Sequence, residues 1–217
     1  MIKAVLFDMD GLLFDTERMG EGVMDECAAN QGQHMSAEQW KALLGCTLPA
    51  TKVALEKYYG ASFDGDRFHA DWCRIMLEHV RRDGVPVKVG AAEALDALRR
   101  RGIKTAVVTS NAAHVVAEYL ARSGFTDKFD AVITGDMAAK SKPEPDIYLK
   151  GAEVLGVSPA ECAGVEDSYN GVRAIRAAGM RSVMIPDVLP FTEAQRPFVD
   201  DCLTSLNELE GTLFPEG

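Results

Sequence analysis

The sequence predicts an α/β fold: a Rossmann-like, doubly wound parallel sheet with an all-helical segment inserted after the first strand. Three observations lead there. Short β-rich runs alternate with segments of helical period over most of the 217 residues, the pattern of a parallel sheet flanked by helices. Four of the helical segments run directly into a glycine, the residue that most easily closes a helix in the left-handed conformation. From residue 16 to about 82 there are helical patterns and polar turns but no β run.

Taken in order, the expected strands are residues 3–7, 103–109, 131–134, 162–165 and 182–185. Between them, helices are expected at 91–101, 112–123, 146–155 and 171–178, ending at Gly102, Gly124, Gly156 and Gly179. The insert breaks at 30–32, 45–49 and 60–65, and it returns through Asp83-Gly84-Val85-Pro86, a turn-rich segment suited to a hinge. The expected domains are a core of residues 1–15 and 88–217 and a helical cap of residues 16–87. No internal repeat or low-complexity tract interrupts this plan.

Composition narrows the function. With 23 Lys+Arg against 33 Asp+Glu the net charge is −10, and the densest basic cluster is Arg99-Arg100-Arg101, so nucleic acid is not an expected partner. The longest apolar run has only four residues, 4–7, far short of the ~20 needed to span a membrane. Asp8 and Asp10 also cut that run off before a signal peptide could form, which points to the cytoplasm. Five cysteines without a C-x-x-C pair read as reduced, mostly buried thiols. A small phosphorylated metabolite remains compatible with the acidic balance, because a bound cation and one or two basic groups reverse the local field. The chain is expected to act as a monomer.

Four motifs stand at expected strand ends. The first strand ends in Asp8-Met9-Asp10-Gly11, two carboxylates at the edge where ligands bind in an open parallel sheet; an isolated D-x-D-G is also an ordinary turn. Thr109-Ser110-Asn111 follows the second strand and precedes a helix, whose free N–H groups suit an anion and equally suit a simple cap. Lys142-Pro143-Glu144-Pro145-Asp146 fixes a lysine in a loop stiffened by two prolines, and Lys142 is favoured over Lys140. Glu166-Asp167-Ser168 adds two carboxylates at another strand end. Brought together with Asp8 and Asp10, they would repel unless a cation sat among them, and Mg²⁺, with its preference for hard oxygen ligands and substrate phosphates, is the natural occupant.

In this order the four motifs resemble the haloacid dehalogenase-like hydrolase superfamily. The run from Asp8-Met9-Asp10-Gly11 to Asp15-Thr16-Glu17, the helical insert, the Lys142-Pro143 segment and Glu166-Asp167-Ser168-Tyr169-Asn170-Gly171 look more narrowly like its β-phosphoglucomutase and phosphoglycolate phosphatase branch. The resemblance implies that Asp8 attacks phosphorus to form an aspartyl phosphate and that Asp10 is the general acid and base. It implies Mg²⁺ held by the Asp8 carboxylate, the Asp10 carbonyl and Asp167, with Glu166 assisting. Thr109, Ser110, Asn111 and Lys142 would bind the phosphoryl group, while Asp15 and Thr16 hold the hinge.

The expected activity is thus Mg²⁺-dependent hydrolysis of a small phosphate monoester, a sugar phosphate or similar. Asp10 argues against a dehalogenase, and the chain length and insert argue against a phospho-accepting receiver module. The alternative is a sugar phosphomutase of the β-phosphoglucomutase type. Against it, the cap loop Leu44-Gly45-Cys46-Thr47-Leu48 has leucines where that pattern has Lys and Arg, and Gly20 stands where it has His. Substrate choice is assigned to the cap, around Trp40, Leu44 to Leu48 and Lys52.

Overall fold

The computed structural model describes residues 1–215. Two compact units divide the chain, one formed by Met1–Asp15 and the chain from Val85 onward, the other by Thr16–Gly84.

The first unit is built on six parallel strands, β1 Ala4–Phe7, β2 Lys104–Val108, β3 Ala131–Ile133, β4 Cys162–Glu166, β5 Arg181–Met184 and β6 Asp201–Cys202, in the order β3-β2-β1-β4-β5-β6. β1 and β4 are buried along their whole length, as expected of strands covered on both faces. The sixth strand, with two residues, is too short to leave a run in the sequence, and it shields the edge of β5. Helices α5 Ala91–Arg100, α6 Ala113–Ser123, α7 Asp146–Leu155 and α8 Tyr169–Ala177 connect the strands. Each ends at or one residue before a glycine-closed turn, and Gly102, Gly124, Gly156 and Gly179 have φ of 70°, 74°, 65° and 75°.

Alternate residues of β1 feed two cores. Ala4 and Leu6 join Ala106, Val108, Ile133, Tyr148 and Ile175 in the cluster under α7 and α8. On the other face, Phe7 meets Phe129 and Phe14 meets Phe125 and Tyr119, with ring centroids 6.4, 5.8 and 6.1 Å apart, contacts that add to the large apolar area each ring buries. The return to the sheet unit comes at Val85 rather than at 88, because the chain there is stitched to the exit segment: Asp15 N–H donates to Pro86 O at 2.8 Å and Lys88 N–H to Leu13 O at 2.9 Å.

The second unit is entirely helical: α1 Thr16–Ala29, α2 Ala37–Leu43, α3 Leu48–Tyr59 and α4 Gly65–Asp83. Ser36 caps α2 in a reciprocal box with Gln39, and Asp64 caps α4 by accepting from the N–H groups of Asp66 and Arg67. The expected break at 45–49 is shorter than anticipated. α3 begins at Leu48 and takes Pro49 into its first turn, where a missing N–H costs nothing. No helix among the described residues is long and apolar enough to cross a membrane.

The cysteine expectation needs correction. All five thiols are free, but only Cys27 and Cys162 are buried while Cys46, Cys73 and Cys202 are exposed. They lie in a cap loop, on α4 and on the edge strand β6, positions that face outward.

Candidate active site

The strand order reverses direction at β1 and β4, and in such a sheet the ligand crevice opens at the carboxyl ends of the strands beside that switch point. The register places the motifs there. Phe7 is level with Val107 of β2 and with Val165 of β4, so Asp8, Val108 and Glu166 come next, side by side. Asp8 N–H continues the ladder to Val165 O at 3.0 Å. The chain then folds back through a turn with Gly11 at φ 73°, and the N–H groups of Leu13 and Phe14 donate to Met9 O. A side chain at 11 would be strained in that left-handed conformation.

Lys142 is the centre of the site. Its ammonium donates to Asp8 Oδ1 at 2.5 Å and to Glu166 Oε1 at 2.6 Å, with Asp8 at 8% exposure and Glu166 at 0%. Glu166 is fully engaged: Oε1 also accepts from the Tyr148 hydroxyl at 3.0 Å, and Oε2 accepts from Ser168 N–H at 3.1 Å and from Ser168 Oγ at 2.8 Å. Ser168 caps α8 with the same hydroxyl, which accepts from Gly171 N–H at 3.1 Å. Burial works against the Glu166 anion, but Lys142 and the Ser168 donors hold its carboxyl below the usual range. Asp8 goes the other way. Burial first, then Glu166 and Asp10, push its carboxyl well above the ordinary value in spite of Lys142.

Asp10 and Asn111 are joined. Asn111 Nδ2 donates to Asp10 Oδ2 at 2.6 Å, while the Asn111 N–H donates to Thr109 Oγ1 at 3.1 Å. Thr109 is buried, at 1% exposure, and its own N–H donates to Ile133 O. Ser110 is exposed beside it. Of the residues expected to hold a metal, Asp8, Glu166 and Asp167 bring carboxylate oxygens within 4.8 Å of one another, whereas the Asp10 side chain is turned to Asn111. Hard oxygens and more negative charge than one ammonium balances fit a divalent cation, which would also relieve the repulsion that, after burial, raises the Asp8 carboxyl. The cap candidates differ among themselves: residues 45–48 are exposed, Trp40 is buried at 3% exposure, and the Lys52 ammonium pairs with Asp66.

Three supports of the site were not assigned in the sequence: Tyr148, Ser168 and Gly171. The glycine carries a signal that only the packing reveals, since a Cβ there would lie 1.8 Å from Glu166 Cδ. With both carboxylate oxygens already committed, Glu166 has nowhere to move. We expect Gly171→Ala to break the Lys142–Glu166 pair and to destabilise the protein by about 3 kcal/mol, as removal of one partner of a buried pair does. Equilibrium denaturation checks this, and an unchanged midpoint would mean that the carboxylate is freer than its bonds indicate.

A buried acidic site at the switch point of a doubly wound sheet marks an α/β enzyme. The profile of the haloacid dehalogenase-like hydrolases matches residues 2–179, and the chain belongs to that family. Its relatives narrow the class. It is 31% identical over 186 residues to the phosphorylated carbohydrates phosphatase of Thermotoga maritima, covering 84% of each chain. It is 27% identical over 224 residues to hexitol phosphatase B of Escherichia coli, covering 96% of this chain and 94% of that one. CbbY of Rhodobacter sphaeroides, solved with phosphate and, as a variant, with xylulose-(1,5)bisphosphate, superposes with a TM-score of 0.80 at 28% identity over 96% of each chain. Within its family the chain is a phosphoric monoester hydrolase.

Proposed function

We propose that the protein is a Mg²⁺-dependent phosphatase of small phosphorylated sugars or sugar-like alcohols, working through an aspartyl phosphate on Asp8. The observation that carries this is the meeting of the Asp8, Glu166 and Asp167 carboxylates at the switch point, with Lys142 bonded to the first two. Sugar-type substrates are supported by the relatives named above.

In this reading the Asp8 carboxylate and Asp167, with the Asp10 backbone carbonyl, would hold Mg²⁺. When bound, the cation lets Asp8 ionise and offsets the charge of the incoming phosphate. Asp8 attacks phosphorus, and the bond to the leaving alcohol breaks. The Asp10 carboxyl, oriented by Asn111, supplies the proton that the alcohol needs. It then takes one from the water that attacks the aspartyl phosphate and releases inorganic phosphate. Thr109, the exposed Ser110 and Lys142 bind the phosphoryl oxygens, whose shared negative charge is greatest in the transition state. Glu166 keeps Lys142 pointed at Asp8. The segment 16–84 is the cap, and its exposed residues 45–48 select the substrate. Free thiols fit a reducing compartment, the cytoplasm.

A panel of phosphate monoesters, scored for released phosphate, is the test. Sugar and polyol phosphates should be hydrolysed with Mg²⁺, and exhaustive chelation should abolish turnover until Mg²⁺ is restored; full activity without metal would reject the cation. With β-glucose 1-phosphate and a trace of the bisphosphate, glucose 6-phosphate accumulating faster than free phosphate would identify a mutase. Gly20 speaks against that outcome, since a Cβ there would lie 2.3 Å from the Trp72 ring and no histidine could be accommodated without displacing the indole.

A further inference from the structure

Tyr148 has the largest side chain among the fully buried residues. It projects from α7 into the apolar cluster with Leu6, Val108 and Ile133. A phenylalanine would fill that space, whereas a phenol there needs a partner for its hydroxyl. The partner is Glu166 Oε1, at 3.0 Å, the oxygen that also accepts from Lys142 at 2.6 Å. The same ring lies beneath the ammonium, with Lys142 Nζ 5.3 Å from its centroid. One side chain therefore touches both members of the buried pair that faces Asp8.

We propose that Tyr148 is a positioning residue for phosphoryl transfer: its hydroxyl takes up part of the charge on Glu166 Oε1, so that Lys142 is shared with Asp8 and with the phosphoryl group rather than held by Glu166 alone. This rests on the role of Lys142 given above. Two donors on one oxygen partly neutralise its charge, so each is attracted less strongly than a single donor would be. If the hydroxyl is removed, Glu166 draws the ammonium toward itself. The loss is then felt most where Lys142 is needed most, as negative charge spreads over the phosphoryl oxygens in the transition state, and less in the ground state.

Tyr148→Phe is the direct test because it keeps the ring, its packing and its contact with the ammonium. The expected result is a fall in kcat of about tenfold, equivalent to about 1.4 kcal/mol, with KM within about twofold, in a protein that stays folded at the assay temperature despite the lost hydrogen bond. In a Lys142→Arg background, which preserves the charge but not the fit, the same substitution should cost less than about twofold. An unchanged kcat in Tyr148→Phe, a loss that falls on KM rather than kcat, or an undiminished loss in the Lys142→Arg background would each overturn the proposal. Lys142→Arg with wild-type kcat would instead overturn the role of Lys142 itself, which separates the two failures.

Discussion

Asp8→Asn should leave a folded protein that releases no detectable phosphate from a generic aryl phosphate, because an amide cannot form the acyl phosphate. The structure adds an expectation for stability. The Asp8 carboxyl is held well above its ordinary value, chiefly by burial and by Glu166. The folded protein therefore binds a proton that the unfolded chain gives up, and ionised Asp8 weakens the fold as pH rises above the unfolded carboxylate value of about 3.9. The metal-free Asp8→Asn variant should accordingly melt above the metal-free wild type at neutral pH, and the difference should shrink as pH falls toward 4. Lys142 keeps its bond to Glu166 in the variant, so no charge is orphaned. Mg²⁺ should raise the melting temperature of the wild type more than that of the variant. Retention of more than about a tenth of the activity, with contaminating phosphatase excluded, would place the nucleophile elsewhere. A lower metal-free melting temperature would mean that the Lys142 bond outweighs burial at Asp8.

Asp10→Asn should be nearly as severe, costing on the order of 10²–10⁴-fold in kcat, the range expected for loss of a general acid–base group. Asn111 donates to Asp10 Oδ2 through its side-chain amide, and an asparagine oxygen can accept that bond unchanged. The site geometry should thus survive while the transferable proton is lost. The deficit should be large for alkyl phosphates, whose leaving group must be protonated, and smaller for aryl phosphates with acidic leaving groups. Equal losses for the two would remove the acid role from Asp10 and leave it a purely structural one.

The alternation of strands and helices was legible because its causes are local. A strand buried on both faces must be continuously apolar, as 4–7 is, and a helix that closes in the left-handed conformation needs a residue that tolerates positive φ, as Gly102, Gly124, Gly156 and Gly179 do. Three of the short chemical motifs were legible for a related reason, since chain connectivity places Asp8, Thr109 and Glu166 at strand ends whatever the details of packing, while Lys142 is carried there by the loop between β3 and α7. Most boundaries moved by a residue or two, and the larger departures came where a neighbour decided them: the helical insert returns at Val85, Pro49 lies within α3, and β6 exists by pairing with β5.

Which side chains meet was another matter. The Asn111 side chain donates to Asp10, and Glu166, one of the three carboxylates grouped at the strand ends, also accepts four bonds from Lys142, Tyr148 and Ser168. Tyr148 and Gly171 gave no hint of their tasks, because an apolar-patterned helix residue and a small residue in the first turn of a helix each have ordinary explanations. Hydrophobic period and turn chemistry are properties of a few consecutive residues, so the chain order alone determined the layered fold and the strand ends at which chemistry could occur. The sharing of one lysine between two buried carboxylates depends on strand register and on space within an ångström, and only the packing of β1, β4, α7 and α8 against one another decides it.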